Sequence, residues 1–404
     1  MTATRPDGSW LARTAGGLPR PYWFVWAGTV VNRLGQFVEP FLALYLVQGR
    51  GVSVTETGTV LASLGLGALV SQPLGGALAD RIGRRATLVA GMVGSAAGLA
   101  ALGLARQLWL VGLAAFAYGV VVDLYRPAVG ALVADLVEPP DRTRAYALLY
   151  WAVNLGVSVS GVVGGVLALH GWWVLFVLDA LTCLVFAVLI VRGVPETLPE
   201  RASGDSGGYG RALRDRLLLA LVGITLAGAV VYLQAYVTLP LSMRASGLTS
   251  ADYGVAYAVN PLVIVFLQPL TLRALVAAPR VRVFVSSIVL LGLGFGLTAL
   301  ANSLWQYAAT VVVWTLGEIA FNAVAPTIVA DIAPPEQRGR YNGMLGLAYG
   351  AGAFLGPLLG TRAFAVSERL LWFGCTAVCL VAAGAASALG PGLRRREREG
   401  LRAD

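Results

Sequence analysis

The chain has 404 residues, 57% of them hydrophobic and only 13% charged, with a mean hydropathy of +0.74 and a formal net charge of +9. That much apolar surface exceeds what a soluble core of this length can bury, so the surplus must face lipid and the fold class is an all-α membrane protein. No aromatic-basic stripe accompanies the positive charge, so it reads as a topology signal and a contact with the lipid bilayer, and no nucleic acid partner is expected.

A helix crossing a bilayer needs about 20 mainly apolar residues. Twelve such stretches follow one another, at 20–46, 54–79, 86–104, 108–136, 143–169, 171–193, 214–243, 250–276, 281–301, 304–332, 338–364 and 367–390. The polar segment before the first carries Arg5 and Arg13, and the apolar run behind it is too long and too polar in its middle for a cleaved leader. All 30 basic residues are arginine. With the N-terminus in the cytoplasm, 23 of them fall in tails and cytoplasmic loops, and only Arg50, Arg106, Arg244, Arg362 and Arg369 fall outside. That asymmetry predicts N- and C-termini in the cytoplasm of a bacterial inner membrane. Cys183, Cys375 and Cys379 all lie in apolar helices and are read as packing residues, His170 as a loop residue, and no metal or cofactor is expected.

The sequence is written twice. At an offset of 196 residues Gln72-Pro73-Leu74 falls on Gln268-Pro269-Leu270, Glu56 on Asp252 and Gly58 on Gly254. Ala134-Asp135 likewise falls on Ala330-Asp331, Arg142 and Arg144 on Arg338 and Arg340, Gly156 on Gly352 and Gly164 on Gly360. Six helices per repeat is an even number, so the repeats run parallel and are related by an axis along the membrane normal. This predicts an N-terminal six-helix bundle (1–193), a cytoplasmic linker (194–213) rich in Gly, Ser, Glu and Arg, a C-terminal bundle (214–390) and a cytoplasmic tail (391–404). Two facing bundles meet the physical requirement for alternating access to a central site.

After the second helix the chain reads Gly76-Ala77-Leu78-Ala79-Asp80-Arg81-Ile82-Gly83-Arg84-Arg85. This resembles the cytoplasmic signature of the major facilitator superfamily, G-x-x-x-D-R-x-G-R-R. The resemblance implies a conformational latch. In it Gly76 allows close helix approach, Asp80 meets a helix N-terminus, and an arginine pairs with the acid ending the fourth helix, here Asp135. The bland reading makes Asp80, Arg84 and Arg85 simple positive-inside anchors. On the eleventh helix Gly352, Gly356, Pro357 and Gly360 resemble the exporter signature of that superfamily's drug:proton antiporters, which there sits on the fifth helix. Here the fifth helix keeps Gly156, Ser160, Gly161, Gly164 and Gly165 but not the Gly-Pro step, and glycines four apart are also ordinary helix-packing residues. Aligned on Gly119 and Pro127, Ala115 stands where that branch often carries an arginine, and Arg126 is the available substitute.

An ionised group at mid-membrane costs about 3 kcal/mol on insertion scales, so each one needs a partner or water. Mid-helix polar groups are Asn32, Arg33, Gln36 and Glu39 on the first helix, Asp123 and Arg126 on the fourth, Asp179 on the sixth, and Glu318 with Asn322 on the tenth. In the superfamily's fold the first, fourth, seventh and tenth helices line the cavity, which adds Tyr232, Gln234 and Tyr236 from the seventh. Asn32, Gln36 and Glu39, at i, i+4 and i+7, form one stripe expected to face water. Asp123 and Arg126 either serve transport or neutralise each other as a structural pair. Glu318 has no basic neighbour on its helix and either pairs across the cavity with Arg33 or Arg126 or carries a proton. Asp179 is expected to be a buried structural acid outside the cavity. Gln72 and Gln268, each before a proline, are expected to satisfy freed backbone groups.

The leading expectation is a monomeric, proton-coupled efflux antiporter for small amphiphilic molecules, with Glu39, Asp123 and Glu318 as proton-coupling candidates. The alternative is a proton-coupled importer of a sugar, amino acid or organic anion, which Arg33 and Arg126 keep open. A membrane sensor would add a signalling domain. An enzyme would present a nucleophile with its base or a metal set, and the helices carry no such arrangement.

Overall fold

A computed structural model describes residues 16–197, 210, 212–334 and 337–400; most of the expected linker lies outside the described residues. The described chain is all-helical. Eleven helices are long and apolar enough to cross a membrane. The first crossing falls short as a single helix because it is broken into Arg20–Leu34, Val38–Leu44 and a π-turn over Tyr45–Gly49. The remaining spans are Val54–Ile82 (second), Arg84–Leu104 (third), Leu108–Val122 with Tyr125–Leu136 (fourth), Pro139–His170 (fifth) and Trp172–Gly193 (sixth). The second half continues with Arg216–Tyr232, Gln234–Val237 and Leu239–Ala245 (seventh), Ser250–Ala277 (eighth) and Arg280–Leu297 (ninth). Leu304–Ile332 (tenth), Arg338–Val366 (eleventh) and Glu368–Gly400 (twelfth) complete it, the last helix running on into the residues expected as a tail.

The repeat is visible in how the helices begin. Ser53 and Glu56 form a capping box at the second span, and Thr249 and Asp252 form the equivalent box at the eighth. Apolar side chains such as Leu181, Val188, Phe266 and Val381 stay exposed on the outer helix faces, as lipid contact requires. The two bundles meet along two helix pairs, the second against the eleventh and the fifth against the eighth. Both crossings are cut to backbone thickness. A Cβ on Gly65 would lie 2.1 Å from the Ala353 carbonyl oxygen, and one on Gly254 would lie 2.2 Å from that of Gly161. Ser250 also donates to the Gly165 carbonyl across the second of these crossings (3.0 Å).

Candidate functional site

Between the bundles lies a chamber of about 1160 Å³. Its lining runs from mid-span toward the arginine-rich end, where Gln72, Val129, Leu149, Ile264 and Asn342 contribute. The opposite end is shut. There Phe41 of the first span meets Tyr253 of the eighth edge to face (5.3 Å), both fully buried, and Gly58 packs on Pro357 and Thr361.

One wall belongs to the N-terminal half. The first span breaks at Gly35 because Asp179 of the sixth span takes the amides of Phe37 (3.1 Å) and Val38 (3.0 Å). The break turns Arg33, Gln36 and Glu39 into the chamber, and there they form a relay. Arg33 donates to the Tyr125 hydroxyl and to Gln36, whose amide donates to Glu39. The Arg33 guanidinium also lies over the Tyr125 ring at 5.5 Å, while its Nε is buried with no hydrogen-bond partner among the described residues. Arg126 and Asp123 pair with each other at 2.6 Å, yet both line the chamber and half of the Arg126 side chain stays exposed.

The facing wall carries Glu318. Its carboxylate accepts from Asn260 Nδ2 (2.6 Å) and the Tyr232 hydroxyl (3.2 Å), and among the described residues it has no arginine partner. Asn260 is held in turn by Thr315 (3.0 Å), and Tyr236 and Tyr257 complete an aromatic rim. Of the two alternatives for Glu318, the pairing across the cavity with Arg33 or Arg126 is not formed among the described residues. Asn322 lines the chamber as expected.

Two expected chamber residues stand elsewhere. Asn32 faces the sixth span, its amide toward Cys183 Sγ (3.4 Å), because the break at Gly35 rotates it off the stripe of Gln36 and Glu39. Gln234 is buried against the eleventh span, donating to the Gly356 carbonyl (3.0 Å) and accepting from Thr238 (3.0 Å). The slot that admits it is Gly360, where a Cβ would meet its Oε1 at 2.0 Å, and Gly352 likewise admits Ala229. Gly352, Gly356 and Gly360 thus pack the seventh span, while Pro357 meets the second. Asn260, Tyr125 and Asn154 line the chamber and went unnoticed in the sequence. Asn260 sits directly before Pro261 in an apolar run and Tyr125 between Asp123 and Arg126, which were the available signals.

At the arginine-rich end Arg84 pairs with Asp135 at 3.1 Å, and the repeat places Arg280 on Asp331 in the same way. The rest of the signature departs from expectation. Gly83, at φ +100°, turns the third span so that Glu196 caps it, accepting from the amides of Arg85 (2.9 Å) and Ala86 (3.0 Å). Asp80 and Arg81 are exposed, and a Cβ on Gly76 would meet nothing within 4 Å, as befits the end at which the chamber lies open.

In comparisons with known proteins, the family described as the Major Facilitator Superfamily matches residues 25–274 and 235–403. A Na(+), Li(+), K(+)/H(+) antiporter of Planococcus maritimus is 25% identical over 361 residues, spanning 80% of this chain and 84% of that protein. Multidrug resistance protein MdtH of Cronobacter sakazakii is 31% identical over 336 residues, spanning 78% and 80%. Among solved structures, a peptide transporter POT in complex with sulfate superposes with a TM-score of 0.80 at 16% identity over 98% of each chain. The nucleoside transporter NupG gives 0.78 at 14% identity over 93% of this chain and 99% of that one.

Proposed function

Because the chain belongs to the Major Facilitator Superfamily, we propose that it is a proton-coupled secondary transporter that carries a small organic solute by alternating access, with Glu318 holding the transported proton. The observation behind this reading is a chamber carboxyl with two neutral donors and no cation. Closing the chamber around the carboxylate costs about 3 kcal/mol by insertion scales, and a proton removes that cost. Glu39, joined to Arg33 through Gln36, and Asp123, joined to Arg126, have cations nearby and need a proton less. The arginine-rich end is then the cytoplasmic one, the chamber opens inward, and Arg84–Asp135 with Arg280–Asp331 act as the latch region. Both walls come from one chain, so a monomer suffices.

Uptake by symport suits the chamber's chemistry. Arg33 and Arg126 offer the chamber guanidinium groups that pair well with a solute carboxylate and that an apolar solute would not use. Export by antiport is the second reading, supported by the similarity to the Planococcus antiporter and the Cronobacter multidrug resistance protein. Both readings use the same proton site and differ in the sign of the flux. Solute accumulation in cells should fall on collapsing the proton gradient for an importer and rise for an exporter. In liposomes with an imposed pH gradient, Glu318→Gln should abolish gradient-driven accumulation while sparing solute exchange at equal pH. If Glu318→Gln stays fully coupled, Glu318 does not hold the proton, and if Asp123→Asn and Glu39→Gln stay coupled as well, the proton-coupled reading is wrong.

A further inference from the structure

Asp179 belongs to neither chamber wall and is 2% exposed. Its Oδ2 accepts both backbone amides freed where the first span breaks, and its Oδ1 faces Cys183 Sγ at 4.0 Å. Among the described residues it forms no ion pair, so its charge is met by two amides and the start of a short helix. Behind the break, between the first, third, fourth and sixth spans, is a small cavity of about 10 Å³, room for about one water. Asn32, Ser95, Tyr118 and Asp179 line it together with Arg33, Gln36 and Asp123, and these last three also line the main chamber. Those three side chains stand between the small cavity at the buried acid and the chamber. The charged and titratable groups around it are Arg33 and Glu39 of the first span, Tyr118 and Asp123 of the fourth and Cys183 of its own.

We infer that Asp179 is a proton-accepting positioning residue: a proton passing from chamber water through the small cavity to its carboxylate loosens the cap on the broken first span, and its return restores it. Ionised Asp179 holds both amides and so fixes the break that turns Arg33, Gln36 and Glu39 into the chamber. Once neutral it accepts more weakly, since charge-assisted hydrogen bonds are about twice as strong as neutral ones, and the break relaxes. The proton thus acts on the site's geometry from outside the chamber. The inference rests on the proton-coupled reading above.

The test uses the purified, full-length protein without solute, titrated by infrared difference spectroscopy for the carbonyl stretch of a buried neutral carboxyl, and in parallel the pH profile of solute exchange in liposomes. Asp179→Asn keeps the shape and one acceptor oxygen but cannot be protonated. Its expected result is loss of one carboxyl band that Asp123→Asn and Glu318→Gln retain. The ratio of exchange rates at acid and alkaline pH should also fall about tenfold, with Asp179→Glu restoring part of it. An intact band, or an exchange profile that superimposes on that of the unmodified protein, overturns the role. The infrared arm needs no transport, so its failure is distinguishable from failure of the carrier reading, which would show as absent proton coupling in the unmodified protein.

Discussion

Replacing Gly254 by Ala should unseat the closed end of the chamber. The added Cβ would stand 2.2 Å from the Gly161 carbonyl oxygen, where ordinary contact begins at 3.4 Å, so the fifth and eighth spans must part by about 1.2 Å. Both sides of the clash are backbone, and no side-chain rotation relieves it. Overpacking of this kind costs about 1–3 kcal/mol. The helix propensity gained from alanine is the same whichever end of the chamber is open, because the eighth span stays helical, and it cancels from the comparison. The whole cost falls on the state described here, and it shifts the balance toward the oppositely open state by roughly 5- to 150-fold. The assay is labelling of Val157→Cys, a chamber-lining position, by a membrane-impermeant thiol reagent added to whole cells. The three native cysteines are buried and give a low background. Gly374→Ala, whose Cβ meets nothing within 4 Å, is the control. Labelling should accelerate in Gly254→Ala and not in Gly374→Ala. Equal rates in two folded variants would refute the claim that the glycine crossing seals this end.

The two arginine–aspartate pairs should differ in weight. Arg84→Gln leaves Asp135 unpaired at a site where the arginine is only 10% exposed, and should cost about 2 kcal/mol. Arg280→Gln breaks a pair exposed to 42% and 33% and should cost less than about 1 kcal/mol, both read by thermal unfolding in detergent. Outside the membrane, burial alone would push the Asp215 carboxyl up, but hydrogen bonds from Arg396 and Tyr341 outweigh this and hold it below the usual carboxylate range. A depressed carboxyl stabilises the fold above its unfolded value and ceases to as pH falls through its folded one. Arg396→Ala should therefore lower the melting temperature at neutral pH, and the difference from the unmodified protein should shrink below about pH 4; a difference that stays constant down to that pH would assign Arg396 a packing role instead.

Crossing segments, repeat and the Arg84–Asp135 pair were legible because each is a local or periodic signal. Apolar length marks a span, a 196-residue offset marks the repeat, and Arg84 and Asp135 belong to a motif of fixed spacing. The chamber was only half legible. Periodicity assumes an unbroken helix, and the first span is broken by a carboxylate some 140 residues away in sequence, Asp179, which no local pattern announces. Asn32 was misplaced for that reason. Gln234 was misplaced because the slot that takes it is made by an absence, the missing side chain of Gly360. Asn260 was missed because an amide gains its meaning only from the carboxyl opposite, here Glu318.

The repeat and the chemistry obey different rules, and the difference bears on coupling. Parts that let two bundles rock are duplicated: the capping boxes at Ser53 and Thr249, the pairs Arg84–Asp135 and Arg280–Asp331, the crossing glycines Gly58 and Gly254. The charges buried at mid-span are not. At the same 196-residue offset Arg33 answers to Ala229, Asp123 to Ile319, Asp179 to Cys375, and Glu318 to Val122. A duplicated scaffold gives two states of similar packing energy, which a modest ligand energy can then select between. A duplicated set of charges would double the desolvation cost and place like charges face to face. With cations on one wall and a lone carboxyl on the other, closure is favourable only when the charges across the gap are met by solute, proton or both, and on the proposed reading that condition links the two fluxes.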